Sequence, residues 1–266
     1  MKYQHIVQAE FVDRPNRFIA HAKLRGTVPQ ASAEPTDATE NTLMEVAEVE
    51  ISETELVTVH VKNTGRCREL LIPGATVYLE KSTNPNRSTA YDLVAVEKGD
   101  RLINMDSQAP NKVVEEWLWK KELFPDLISV RPETKFGNSR FDFYVETAGD
   151  EGNGRAAEKI FIEVKGVTLE EDGVVRFPDA PSDRAVKHVE ELMEAGRAGY
   201  RVLVIFVIQM ENVKCFTPNI KTHPEFAQAL QKAAKEGVEI MAYDCCVTSD
   251  SLEMKHPVMV RLQEIR

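Results

Sequence analysis

Up to about residue 103, apolar and polar side chains alternate in short runs, at 19–24, 46–51, 56–61, 76–79 and 91–96. A period of two is the pattern of a half-buried strand. The runs are separated by the turn formers Asn63-Thr64-Gly65, Pro73-Gly74 and Asn84-Pro85-Asn86. Strands this short and closely spaced predict a small β-barrel. Beyond residue 104 the rhythm changes. Pro110, suited to a first helical turn, precedes the apolar stripe Val113, Val114, Trp117 and Leu118, which predicts a helix over 111–121. Strands are expected at 128–134, 139–145 and 160–167, then a helix over 183–198 that buries Ala185, Val189, Leu192 and Met193. The uninterrupted run 201–209, RVLVIFVIQ, reads as a central strand covered on both faces. A helix over 224–236, stopped by Gly237, and a strand at 238–243 complete the order.

The two rhythms predict a two-domain α+β chain: a barrel over 1–103 and a mixed sheet flanked by helices over 104–266. With 266 residues, 42% of them hydrophobic, the chain is long enough for two cores. No run approaches 18 consecutive apolar residues, and MKYQHIVQAE lacks the basic head and apolar stretch of a secretory signal. A cytoplasmic protein with no membrane partner is the expectation. Cys67 and Cys215 are solitary and Cys245 and Cys246 are adjacent, so the CxxC spacing of zinc or dithiol chemistry is missing.

A net charge of -10 argues at first against nucleic acid. Its distribution changes that reading. Residues 27–55 hold eight acidic side chains and no Lys or Arg, leaving only -2 for the rest of the chain, whereas residues 1–26 sum to +3. The stretch 27–44, rich in Ala, Pro, Thr and acid, reads as a loop or insertion without a catalytic part. A local basic patch is therefore compatible with an acidic whole.

The candidate chemistry sits on two predicted strands, Arg140-Phe141-Asp142-Phe143 and Ile162-Glu163-Val164-Lys165-Gly166. Alternation places Glu163 and Lys165 on one face and sends Ile162 and Val164 into the core. It also leaves Asp142 on the solvent side, with Phe141 and Phe143 both turned to the buried face. If the strands are neighbours, Asp142, Glu163 and Lys165 converge. Two adjacent carboxylates repel unless a cation lies between them, and hard oxygen donors suit Mg2+ or Mn2+. Such an ion activates water and polarises a phosphodiester, while Lys165 orients the nucleophile or stabilises charge on phosphate oxygens. The competing arrangement is an ordinary cross-strand ion pair on a solvated face. The combination of Asp142 with Glu-x-Lys on an apolar-backed strand favours the metal site.

On the first helix of the second domain, Glu115 and Glu116 flank the apolar stripe, and Glu116 is the preferred extra ligand; Glu133 is a further candidate. Downstream, Arg184 and His188 share a helix face at i and i+4, with Lys187 beside them, an arrangement suited to gripping a phosphate.

Several motifs occur in order: Asn63-Thr64-Gly65-Arg66, Pro73-Gly74-Ala75, Ala109-Pro110-Asn111, residues 137–143 (GNSRFDF), residues 163–168 (EVKGVT) and Phe177-Pro178-Asp179-Ala180-Pro181. Together they resemble the sugar fermentation stimulation protein A (SfsA) family over nearly the whole chain. The resemblance implies an N-terminal OB-like barrel, a C-terminal domain similar to PD-(D/E)XK nucleases, and DNA binding. It maps the nuclease-like signature onto Asp142, Glu163 and Lys165. Members are described as DNA-binding regulators connected with sugar (maltose) utilisation genes, with nuclease activity suggested by fold. The acidic segment and Lys62, where the family pattern has Pro, are the departures. An OB-like barrel holds nucleic acid through a basic groove and aromatic platforms. Arg14, Arg17, Phe18, Lys23, Arg25, Arg66 and Arg68 are the candidates here, with Arg66 favoured by its place after the turn.

The leading expectation is a Mg2+- or Mn2+-dependent nuclease whose barrel captures DNA. The alternative is a non-catalytic DNA-binding regulator of sugar (maltose) utilisation genes. A metabolic enzyme acting on a small phosphorylated ligand is weaker, because no Gly-rich phosphate loop is present. The oligomeric state is left open, a homodimer included.

Overall fold

The computed structural model describes residues 1–25, 55–63, 65–149, 152, 154 and 156–262. The expected strand at 46–51 and the acidic segment 27–44 lie outside the described residues.

Six strands build the N-terminal sheet: β1 (Ile6–Asp13), β2 (Ile19–Leu24), β3 (Leu56–Val61), β4 (Thr76–Lys81), β5 (Tyr91–Lys98) and β6 (Arg101–Asn104). Their order is β3-β2-β1-β4-β5-β6, and a parallel pairing of β3 with β5 closes five of them into a barrel. Ala9, Phe11, Ala20, Ala22, Val59, Val77 and Leu79 face inward at alternate positions and fill it. Two strands, β1 and β6, are additional to those expected from the sequence. β6 is only four residues long, and it passes the chain across to the second domain: Asn104 N–H donates to the Gln209 carbonyl at 2.9 Å.

After α1 (Ala109–Trp119), the second domain contains β7 (Leu127–Phe136), β8 (Ser139–Thr147), β9 (Lys159–Val167), β10 (Leu169–Glu171), β11 (Val174–Phe177), α2 (Asp183–Arg197), β12 (Arg201–Ile208), β13 (Cys215–Pro218), α3 (Pro224–Lys235), β14 (Glu239–Val247) and β15 (Leu252–Pro257). The main sheet has the order β15-β14-β12-β9-β8-β7. β9, β12 and β14 run parallel, whereas β7, β8 and β15 are antiparallel to their neighbours. A smaller sheet, β10-β11-β13, sits beside it.

The main sheet is covered on both faces, which explains the unbroken apolar run of β12. On one face Val113, Val114, Trp117 and Leu118 of α1 pack on Ile160, Ile162, Val164, Leu203 and Ile205. On the other, Val189 and Leu192 of α2 and Phe226 and Leu230 of α3 share a core with Phe161, Val204 and Phe206, and that core continues into the barrel. α2 starts where Ser182 caps it, accepting from Ala185 N–H at 3.2 Å, with Asp183 in the first turn and Arg197 in the last. Residues before β1 also fasten to the second domain: Tyr3 N–H donates to the Asp250 carbonyl at 2.7 Å and the Met1 amine to the Leu252 carbonyl at 2.7 Å. No helix among the described residues is long and apolar enough to cross a membrane.

Candidate metal and phosphate site

β8 and β9 are hydrogen-bonded neighbours, and their last paired rung is Phe143 opposite Ile162. One step further lie Asp142 and Glu163. The ladder stops there, and so does the regular pleat of β8. Phe143 belongs to the core under α1, with Val145 and Ile162, but Phe141 packs on the opposite face against Phe136 and Phe161. The expectation that Phe141 and Phe143 share a face is thus corrected: the break in alternation falls at Asp142. Freed from the ladder, Asp142 Oδ2 accepts the backbone N–H of Val164 at 2.7 Å, while Oδ1 accepts the Asn111 side-chain amide at 2.8 Å. Asn111 stands in the first turn of α1, directly after Pro110.

Glu163 is 2% exposed, because α2 lies over its face of β9. The competing arrangement, an ion pair on a solvated strand face, is therefore not the one Glu163 adopts. Its Oε1 is held by Lys165 Nζ at 2.5 Å and by His188 Nδ1 from α2. Arg184, one turn earlier, donates from Nε to His188 Nε2 at 3.2 Å, which leaves Nδ1 to carry the imidazole proton toward Glu163. Glu163 Oε2 is buried and has no hydrogen-bond partner among the described residues.

The two carboxyls respond differently. Burial, reinforced by the Glu163 charge, raises the Asp142 pKa above the usual range despite Val164, Lys165 and Asn111. Burial pushes Glu163 upward too, but the His188 hydrogen bond and the Lys165 charge outweigh it and hold that carboxyl below its ordinary value. An ionised carboxylate with one bare, buried oxygen, beside a second carboxyl raised by its charge, fits a hard divalent cation. The cation would bring opposite charge to both and ligate the oxygen that the protein leaves unbonded. Among the described residues no third His, Cys, Asp or Glu joins them as a ligand cluster. The rest of a coordination shell would then come from water, backbone or substrate oxygens, as Mg2+ commonly accepts.

The other expected site residues are dispersed. Glu116 does not reach the carboxylates: its Oε2 pairs with the Met1 amine at 2.7 Å on the far stretch of α1. Asn111 takes the place intended for it. Glu133 pairs with Arg140 at 3.6 Å at the exposed end of the β7–β8 hairpin. His188 contacts Glu163, Arg184 is exposed and donates to His188, and Lys187 is exposed beside Glu191 at 3.5 Å.

In the barrel, Arg14 turns its guanidinium onto four backbone carbonyls, those of Gly65, Arg66, Arg17 and Asn63, at 2.6–3.1 Å. It is a loop staple whose two terminal nitrogens are engaged, while Nε is buried without a partner among the described residues. Arg25 lies 3.8 Å from Glu10. Arg17, Lys23, Arg66 and Arg68 are exposed, and Phe18 is 52% exposed on the same barrel. The loop after Asn63 is tied to the second domain by Asp179, whose Oδ2 accepts the N–H groups of Arg66 at 2.7 Å and Cys67 at 3.3 Å. That bond was invisible in the sequence, since 112 positions separate Asp179 from Cys67.

The fold and site together define a class: a closed OB barrel joined to a mixed-sheet domain that carries a carboxylate–lysine cluster at a broken strand pair. The model "SfsA N-terminal OB domain" matches residues 46–105, and the model "Sugar fermentation stimulation protein RE domain" matches residues 108–251. The chain belongs to the sugar fermentation stimulation protein A (SfsA) family. It is 50% identical over 264 residues, 99% of this chain and all of the relative, to the sugar fermentation stimulation protein homolog of Desulfitobacterium hafniense (strain DSM 10664 / DCB-2). The homolog of Ruminiclostridium cellulolyticum is 48% identical, covering 98% of this chain and all of the relative. A solved structure, Pyrococcus furiosus SfsA in complex with Ca2+, superposes with a TM-score of 0.75, covering 98% of both chains at 24% identity. At that identity the likeness concerns the fold.

Proposed function

We propose that this protein binds DNA and hydrolyses phosphodiester bonds at a divalent-metal site of the PD-(D/E)XK kind. The observation that carries the reading is Glu163: ionised, 2% exposed, and with Oε2 unbonded next to Asp142. Asp142 and Glu163 would hold the ion, Mg2+ or Mn2+. Bound there, the ion supplies Lewis-acid activation of the phosphodiester and lowers the pKa of attacking water. Lys165 donates one of its three N–H groups to Glu163 in a hydrogen bond, which leaves two for a phosphate oxygen or the attacking water. His188, backed by Arg184, keeps Glu163 ionised and oriented. The relative solved with Ca2+ adds support, since Ca2+ and Mg2+ share a preference for carboxylate oxygens. DNA would reach the site across the barrel, where Arg17, Arg66, Arg68 and Lys23 offer charge and the exposed ring of Phe18 a stacking platform.

The test is incubation of labelled single- and double-stranded DNA with Mg2+ or Mn2+, with and without chelator. Metal-dependent product supports the reading; retarded but uncut DNA in every lane sinks its catalytic half. A second reading is favoured by one observation: Lys165 and His188 already hold Glu163 Oε1, so the cluster is substantially balanced without an ion. On that reading the protein is a non-cutting DNA-binding regulator of sugar (maltose) utilisation genes, and its salt-sensitive binding is unaltered by Mg2+.

A further inference from the structure

Between the barrel and the second domain lies a cavity of about 380 Å3, which begins where the carboxylate site ends. Gly166, the residue after Lys165, forms part of its wall, together with Arg17 from the barrel and Arg176 from β11. Its volume is within the range of small-ligand pockets, and domain joints are where such pockets gather. The wall carries one carboxylate, Asp179, whose Oδ2 is already occupied by two backbone N–H groups. At the rim, Ser182 begins α2, so the positive end of a 15-residue helix adds to the two guanidinium groups. The floor contains Gln209, only 1% exposed. Its Nε2 donates to Asn104 Oδ1 at 2.8 Å and to the Asp106 carbonyl at 3.0 Å, which fixes the amide. Oε1 is thereby turned toward Gly166, where a Cβ would stand 2.7 Å from it, and it accepts no hydrogen bond among the described residues. A fixed acceptor on a residue 1% exposed, facing a cavity lined by Arg17 and by Arg176, whose guanidinium also pairs with Glu171 at 3.3 Å, suits a ligand with both a donor and a phosphate.

We propose that this cavity receives one nucleoside monophosphate unit, with its phosphate against Arg17 and Arg176 and a base or sugar donor on Gln209 Oε1. The inference rests on the nucleic-acid reading of the neighbouring site. The unit is either the terminal nucleotide of a DNA strand or a free nucleotide, since both present the same chemistry. Guanidinium forks match phosphate oxygens in pairs, which makes a terminal phosphate, with its extra charge, the preferred form.

The experiment titrates the full chain, with chelator present to block cleavage, with single-stranded oligonucleotides bearing a terminal phosphate or hydroxyl and with a free deoxynucleoside monophosphate. Arg17→Ala and Arg176→Ala are compared with wild type. The Arg17 side chain makes no hydrogen bond among the described residues, so Arg17→Ala is expected to fold normally. The phosphorylated strand should bind about tenfold more tightly than the hydroxyl-ended one, and each variant should erase that preference; Arg176→Ala should do so without weakening the hydroxyl-ended strand, whereas Arg17→Ala, which also removes a barrel charge, should weaken both strands. Binding of the free nucleotide that both variants abolish, without end preference on strands, assigns the cavity to free nucleotide. Equal affinity for both strand ends together with no free-nucleotide binding overturns the inference, as does a preference that survives both variants. End preference in a protein that never cuts DNA removes the nuclease reading and leaves the cavity assignment standing; cutting without any phosphate recognition does the reverse.

Discussion

Glu163 and Glu170 are both buried glutamates with a lysine at hand, yet only one of them has the making of a functional group. Glu170, 6% exposed at the joint between barrel and second domain, is fully occupied: Lys98 Nζ donates to Oε2 at 2.7 Å and Gly173 N–H to Oε1, with Arg101 3.6 Å away. Glu163 has a lysine and a histidine crowded onto one oxygen and, among the described residues, nothing on the other. Both pKa values are lowered, because in each case hydrogen bonds and nearby cations outweigh burial. Glu69 gives the third outcome. One of its oxygens is also buried and without a partner among the described residues, but burial raises its pKa, so its charged form is disfavoured where that of Glu163 is favoured. A bare oxygen is thus informative only when its carboxylate is held ionised, and among these three that condition is met at Glu163.

The largest expected effect lies at the site. Asp142→Ala and Lys165→Ala should each reduce metal-dependent cleavage by at least about a hundredfold, the scale of losing a group that acts on transition-state charge. Glu170→Gln should leave cleavage within a few-fold of wild type, measured by initial rates on the same substrate. Next comes folding. Glu170→Gln should destabilise by about 1.5–3 kcal/mol, because its charge-assisted bonds to Lys98 are weakened inside the joint. Denaturant unfolding of Glu163→Gln should show a smaller loss, since one of its oxygens has no bond to lose.

Divalent cation should sharpen the contrast. Mn2+ at a hundred times its dissociation constant should stabilise wild type and Glu170→Gln by about 2.7 kcal/mol, and Asp142→Asn and Glu163→Gln far less, read as thermal midpoints. The smallest effect is the acid limb. A lowered carboxylate contributes stability above its ordinary value, 4.5 for Glu170, and loses it as pH falls through the folded value. Glu170→Gln should therefore flatten the fall in stability below pH 4.5, and an acid titration unchanged by this substitution would count against the pairing.

The strands carrying Asp142, Glu163 and Lys165 were legible because alternation and apolar backing are local properties, and the barrel for the same reason. What covers a strand is not local. The burial of Glu163 depends on α2 crossing its face, and the partner of Asp142 on where the first turn of α1 docks. Periodicity drew attention to Glu115 and Glu116 on the flanks of the stripe, whereas Asn111, within the quoted Ala109-Pro110-Asn111 motif, makes the contact. Glu116 instead pairs with the Met1 amine, 115 positions away. The opposite facing of Phe141 and Phe143 was hidden in the same way, since it arises where the β8–β9 ladder ends. Arg14 looked like a nucleic-acid ligand on charge alone, but the loops whose carbonyls absorb it come together only in the folded barrel.

The most direct test is Mn2+ binding by calorimetry on wild type, Asp142→Asn, Glu163→Gln and Glu170→Gln at one pH. The expected result is binding by wild type and Glu170→Gln, and a loss of at least about tenfold in affinity for both Asp142→Asn and Glu163→Gln. Equal Mn2+ binding by all four proteins, or none by wild type, would contradict it and leave Glu163 as a buried ion pair with no metal to hold.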